Sequence, residues 1–225
     1  MRKVAVYAGT RNVYGYMVTA AKSLLMHNRD IDRVYFLTED DEFPEPLPGV
    51  IRCINVSAQT FFPHDGANYT SKWTYMTLMR LALPEILPDE RRVLWLDVDT
   101  IVTDDISGLF GTDLDGCYFA AVEEPARSNR PFIYYNAGVL LIDLDALRDG
   151  KYQRLIRFVN GFKMDFPDQD CINLCCQKQI KRVSAIYNAC PWTAQPLDAR
   201  IVHYAARHDY ETQTLYKQYA NMKWW

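Results

Sequence analysis

Two aspartates separated by one apolar residue close the run Leu94-Trp95-Leu96-Asp97-Val98-Asp99. Carboxylates this close repel one another unless a proton or a cation lies between them. Paired oxygen donors at the end of a buried strand suit Mg2+ or Mn2+ bridging a diphosphate. Strand alternation predicts Asp97 and Asp99 on one face, with Val98 turned towards the packing. Sugar transferases, phosphatases and nucleotidyltransferases share this tripeptide with plain surface turns, so by itself it does not choose among them. A second candidate is His203 in Ile201-Val202-His203-Tyr204. An imidazole after a short apolar strand is either a hydrogen-bonded core residue or a nitrogen ligand, and as a ligand it favours Mn2+ over Mg2+. The six cysteines form no CxxC and no finger-like Cys/His cluster, which argues against structural zinc. Cys175-Cys176 reads as packed thiols.

Groups of this kind need a rigid frame. A chain of 225 residues with 49% hydrophobic and 24% charged residues is an ordinary globular mixture with enough length for a real core. A net charge of −3 leaves no strongly basic field, which argues against nucleic acid as a partner. No apolar run reaches the roughly 18 residues of a membrane span. The opening Met1-Arg2-Lys3-Val4-Ala5-Val6-Tyr7 enters a strand directly, without the apolar core of a signal peptide, so a cytoplasmic protein with reduced thiols is expected.

Short apolar runs predict strands at Val4–Ala8, Val34–Thr38, Val93–Leu96 (running on into Asp97–Asp99), Cys117–Val122, Ala137–Ile142 and Ile201–Tyr204, and alternation predicts another at Ile51–Val56. Helical spacing predicts helices over Asn12–Asn28, Thr70–Leu83 (stopped by Pro84), Asp145–Phe162, Asp168–Gln179 and Glu211–Trp225. Glu39–Val50, with Pro44, Pro46, Pro48 and Gly49, is loop. The order predicts one α/β domain over 1–225, Rossmann-like, with a mixed, mostly parallel sheet flanked by helices. The domain falls into halves of about residues 1–105, which hold the aspartate pair, and about 106–225, which hold His203.

Several blocks recur in order along almost the whole chain: Tyr7-Ala8-Gly9-Thr10-Arg11-Asn12, Ala20-Ala21-Lys22-Ser23, Met79-Arg80-Leu81-Ala82-Leu83-Pro84, Val93 to Asp99, Tyr135-Asn136-Ala137-Gly138-Val139-Leu140-Leu141-Ile142, Asp168-Gln169-Asp170-Cys171-Ile172-Asn173 and His203-Tyr204. Together they resemble glycosyltransferase family 8, retaining enzymes of the GT-A fold. The resemblance implies a hexosyltransferase that moves glucose or galactose from a UDP-sugar to a hydroxyl acceptor (a sugar, a lipid-linked glycan or a protein), forming an α-linkage. It implies Mn2+, with Mg2+ as the alternative, held by Asp97, Asp99 and His203. Ala8, Thr10 and Asn12 would line the uridine pocket. Arg80, Asp97 and Val98 would adjoin the nucleotide-sugar. Asn136, Ala137 and Gly138 would face the sugar, and Asp168 and Gln169 would lie by the anomeric carbon as the catalytic pair.

On the residues alone, Arg80 could equally be a solvated helix arginine, Asn136–Gly138 a turn into a strand, and Asp168 a helix cap. Two departures from the family pattern stand out. Thr10 occupies a position that is often acidic. After His203-Tyr204 the chain reads Ala205-Ala206-Arg207-His208-Asp209-Tyr210 where the family places Gly-Pro-x-Lys-Pro-Trp, leaving Arg207 or His208 to replace the lysine. Lys217, Lys223, Trp224 and Trp225 suggest at most weak peripheral membrane contact.

Overall fold

The computed structural model describes residues 2–71, 73–125, 131–205, 207 and 209–224. Seven strands form the central sheet in the order β3-β2-β1-β4-β7-β6-β8: β1 (Val4–Ala8), β2 (Arg33–Thr38), β3 (Ile51–Asn55), β4 (Arg92–Leu96), β6 (Phe119–Ala121), β7 (Val139–Asp143) and β8 (Ile180–Arg182). Pairing is parallel from β3 through β1 to β4 and between β6 and β8, and antiparallel where β7 meets β4 and β6. The expected mixed, mostly parallel α/β sheet is therefore present. A separate two-stranded ladder joins β5 (Thr100–Val102) to β9 (Ile201–His203).

Strand alternation builds two cores, one on each face of the sheet. Val4, Val6, Val93, Trp95, Leu140 and Ile142 face α2 (Met79–Ile86), α4 (Leu144–Leu147), α5 (Lys151–Gly161) and α6 (Pro167–Cys176). Ala5, Tyr7, Leu94, Leu96 and Leu141 face α1 (Tyr14–His27) and α3 (Ser107–Phe110). A small satellite of Ile101, Tyr204, Tyr216 and Tyr219 packs α7 (Thr214–Ala220) against the two-stranded ladder. Among the described residues, no helix is long and apolar enough to cross a membrane.

Several expected boundaries shift, each for a physical reason. Residues Arg11–Val13 form a 3-10 turn before α1. Asn28 stops α1 as its position suggested, its side chain donating to Leu24 O and Asp104 O while accepting from Ile106 N. The Thr70–Leu83 helix begins only at Tyr75, as a 3-10 turn, and it passes through Pro84 to Ile86. Burial of Met79, Leu81, Ala82 and Leu83 against the sheet outweighs the one backbone bond that proline removes. The Asp145–Phe162 helix is split into α4 and α5 at Gly150, whose φ of 105° only glycine adopts without strain. α6 ends at Cys176, and Gln177–Gln179 tightens into a 3-10 turn leading into β8, a strand the apolar pattern does not reveal. The C-terminal helix covers only Thr214–Ala220.

Candidate active site

β4 stops at Leu96, and Asp97-Val98-Asp99 is a turn, closed by Thr100 N donating to Asp97 O at 3.2 Å. The two carboxylates converge because the chain reverses there, not through strand alternation. Val98 is half-buried against the α1-side core. One residue beyond the β4–β7 ladder, Asp97 N donates to Gly138 O at 2.8 Å, which brings the Asn136–Gly138 segment alongside the turn. In the second ladder Thr100 pairs with His203, and Tyr204 N donates to Asp99 O at 2.9 Å. That register delivers the imidazole to the carboxylates, with His203 Nε2 at 3.2 Å from Asp99 Oδ1 and 3.9 Å from Asp97 Oδ2.

One ligating atom from each of Asp97, Asp99 and His203 lies within 4.8 Å of the others. Two carboxylate oxygens and an imidazole nitrogen suit a divalent cation of the Mn2+ type. Without one, burial by itself would discharge His203, but the Asp99 and Asp97 carboxylates and the nearby Cys190 thiol hold its pKa well above the usual value. Burial likewise opposes the charge on Asp99, yet the His203 charge and hydrogen bond keep that carboxyl below its usual range. While no cation is bound, the charged form of His203 thus offsets part of the carboxylate charge.

Gly138 makes this packing possible. A Cβ there would run into the His203 ring, within 2.7 Å of Nδ1 and 2.8 Å of Nε2. The side chain of Asn136 is turned inward: Nδ2 donates to Glu124 Oε2 at 3.0 Å, and Oδ1 accepts from Asn188 Nδ2 at 2.8 Å and Gly138 N at 3.0 Å.

Arg80 is no solvated helix arginine, being 1% exposed. Its guanidinium stacks 4.5 Å from the centre of the Trp95 ring, donates to Asp97 Oδ1 at 2.8 Å, and pairs with Asp168 Oδ2 at 3.1 Å. It also donates to Ala137 O and, through Nε, to Thr77 O. Trp95 Nε1 donates to the same Asp97 oxygen at 2.8 Å. Asp168 lies inside the first turn of α6 and does not cap it, since Pro167 opens the helix. Burial raises the Asp168 pKa in spite of Arg80.

The Asn-Ala-Gly block and the Asp-Gln-Asp block are hydrogen-bonded to each other. Gln169 Oε1 accepts from Ala137 N at 2.8 Å, Asn173 bridges Tyr135 N and O, and Tyr134 Oη donates to Asp170 Oδ1 at 2.7 Å. Gln169 Nε2 donates to Glu124 Oε2 at 3.1 Å. Glu124 and Asn188, both buried, belong to none of the motifs visible in the sequence. The one local signal was a carboxylate pair, Glu123-Glu124, directly after a buried strand.

Ala8 leaves β1 at the same C-terminal sheet edge, two residues beyond the Val6–Trp95 pair as Asp97 is on β4. Thr10 and Asn12 follow on the 3-10 turn and hydrogen-bond to each other. Arg11 pairs with Asp40, which also accepts from Tyr14 Oη at 2.9 Å. Arg207 is paired with Asp209 at 3.4 Å, and His208 lies outside the described residues. Trp224 is half-buried with the Lys22 ammonium 5.3 Å over its ring, and Trp225 lies outside the described residues. A cavity of about 300 Å3 at the opposite edge, around Arg2, Glu90, Arg92 and Asp143, is lined by charges that pair with one another.

Comparison with known proteins identifies the family and the fold. The model of glycosyl transferase family 8 matches residues 4–210. The glycosyltransferase GlyD of Streptococcus pneumoniae is 34% identical over 167 residues, 69% of this chain and 19% of its own length. GlyB of the same organism is 32% identical over 117 residues, 51% of this chain and 28% of its own. The chain thus spans well under half of these relatives. The galactosyltransferase LgtC, solved with donor and acceptor sugar analogs, superposes with a TM-score of 0.74 at 22% identity, covering 96% of this chain and 95% of that one. S. pneumoniae GlyE superposes at 0.75 with 22% identity, covering 100% and 61%. The chain belongs to glycosyl transferase family 8 and adopts the GT-A fold.

Proposed function

We propose that the protein transfers a hexose, glucose or galactose, from its UDP-activated form to a hydroxyl acceptor with retention, giving an α-glycoside. The observation that carries this reading is the convergence of Asp97, Asp99 and His203 at the C-terminal sheet edge, where open α/β sheets bind ligands. Those three residues would hold Mn2+ (or Mg2+). When bound, the ion supplies Lewis-acid neutralisation of the diphosphate charge.

The remaining roles belong to the chain. Ala8, Thr10 and Asn12 line the uridine side, with Asp97 near the ribose and Val98 beside the nucleotide-sugar. Asn136, Ala137 and Gly138 flank the sugar. Arg80 locks Asp97 and Asp168 at fixed separation, and Asp168 takes the sugar hydroxyls. Gln169 is a poor nucleophile: its amide oxygen carries no charge and already accepts from Ala137 N. We therefore favour a front-side route, in which the acceptor hydroxyl attacks on the face the phosphate leaves and the leaving oxygen takes its proton. The acceptor, whether sugar, lipid-linked glycan or protein, approaches the second half of the chain. Six free thiols support a cytoplasmic setting.

Thermal unfolding with UDP, with and without Mn2+ or chelator, tests the donor and metal assignments. Saturation at a hundred times Kd adds about 2.7 kcal/mol, and the expected gain disappears with chelator. Equal stabilisation by UDP in chelator rejects the metal site. Incubation with UDP-glucose and UDP-galactose, read by anomeric proton couplings of the product, is expected to show an α-linkage; a β-product rejects retention. Tight UDP binding without turnover would make the chain a nucleotide-sugar-binding module.

A further inference from the structure

His203 meets the carboxylates through Nε2, and its other ring nitrogen opens a directed chain of hydrogen bonds. Nδ1 lies 2.9 Å from Asn188 Oδ1, Asn188 Nδ2 donates to Asn136 Oδ1, and Asn136 Nδ2 donates to Glu124 Oε2. Each link dictates the next. A carboxylate only accepts, so Asn136 must turn its NH2 towards Glu124. Its carbonyl then faces Asn188, an orientation that the Gly138 N–H reinforces by donating to the same oxygen. Asn188 must turn its own NH2 towards Asn136 and its carbonyl towards the imidazole. Only Nδ1–H satisfies that carbonyl, which leaves Nε2 as the ligating nitrogen.

Asn188 is placed by backbone bonds of the neighbouring residues and by the Thr193 hydroxyl, which donates to its main-chain carbonyl. Ala189 N donates to Ile201 O and His203 N to Ala189 O, so residues 188–190 run beside β9. All four side chains are buried, Asn188 completely. At that depth a mispaired amide would set donor against donor with no water to relieve it, which holds the direction of the chain.

We propose that Asn188 is a positioning residue that aims His203 Nε2 at the metal position, and that Glu124 fixes the orientation of Asn188 through Asn136. This rests on the metal reading above and adds the residues that enforce it. Glu124 Oε2 also accepts from Gln169 Nε2, so one buried carboxylate orients both the imidazole and the first turn of α6.

The test is Mn2+ affinity of the full chain, measured from the EPR signal of the free ion, with the metal-free melting point as a folding control. Asn188→Leu is expected to weaken Mn2+ binding about 10–100-fold, as for lost partners of metal-ligating histidines. Glu124→Leu is expected to weaken it about tenfold, whereas Glu124→Gln, whose amide oxygen still accepts from Asn136 and Gln169, stays within about threefold of wild type. Wild-type affinity in Asn188→Leu overturns the proposal, as does equal loss in Glu124→Gln and Glu124→Leu. A readout free of variants is the wild type loaded with diamagnetic Zn2+: long-range 1H–15N correlations must put the His203 proton on Nδ1, and a proton on Nε2 overturns the proposal. Failure of the wild type to bind Mn2+ overturns the metal reading and this proposal with it, an outcome distinct from unchanged binding in the variants.

Discussion

Asp99 and His203 face a region that is buried and hydrogen-bonded to its last amide, whereas Thr10 and Asn12 stand on a solvated three-residue turn. The first region is held by side chains from several segments far apart in sequence; the second by the Thr10–Asn12 bond, Val13 N donating to Thr10 O, and the Arg11–Asp40 pair. A site that must present a fixed set of charges needs locked rotamers and a satisfied surround. A surface that grips a base through backbone and small hydroxyls adapts on a loop.

The contrast can be broken by mutation. Arg80→Leu strands Asp97 and Asp168 without their shared cation, and loss of one partner of a buried charge cluster costs about 3–5 kcal/mol. The melting point of the metal-free protein should fall accordingly; an unchanged one would show that the metal side is not preorganised. Gly138→Ala drives a methyl group into the His203 ring. Mn2+ affinity should drop about 100-fold or more, the upper end seen when a ligating histidine loses its orientation, and isothermal titration measures it.

The pH dependence sharpens the same contrast. Burial opposes both charges, yet His203 is raised well above 6.5 and Asp99 is lowered below 3.8 by their mutual attraction. The imidazolium contribution is complete below about pH 6.5 and is lost as pH rises through the raised value; the carboxylate contribution is present above about pH 3.8 and is lost as pH falls through the lowered one. Metal-free stability should therefore show a shoulder that declines on the alkaline side, and Asp99→Asn should flatten it. A wild-type profile identical to that of Asp99→Asn would refute the pairing. The smallest effects belong to the other region. Thr10→Ala and Asn12→Ala should each change unfolding free energy by less than about 0.5 kcal/mol, their consequence appearing only as a few-fold weaker UDP affinity; a melting-point loss matching that of Gly138→Ala would erase the distinction.

The same division governs what could be read from the chain before its fold was known. Buried parallel strands announce themselves as apolar runs, so β1, β2 and β4 stand out, and the acids after Leu96 follow directly. The Asn136–Gly138 and Asp168–Asp170 blocks are legible only through their resemblance to the family, since their residues alone read as a turn into a strand and a helix cap; the bond from Ala137 N to Gln169 Oε1 that joins them appears only in the fold. β8 is hidden: its three residues, Ile180–Arg182, carry one apolar side chain. The break at Gly150 is masked by apolar spacing that continues across it, although Asp149-Gly150 is itself a turn signal. Asn188 is the hardest to foresee, because an amide in a loop reveals its role only through what surrounds it. The turn at Asp97–Asp99 shows a right outcome reached for the wrong reason, since β4 ends at Leu96 and the reversal, not strand alternation, brings the acids together.

The ladder of β5 and β9 is three pairs long, too short to persist without the flanking bonds from Ala189 and Tyr204. A one-step slip would swing the imidazole to the opposite side. Opening of this short seam alone would withdraw the imidazole from the acids while the large sheet stays intact, so the buried packing of Thr100, Ile101, Val102 and Ile201 is what keeps the site assembled.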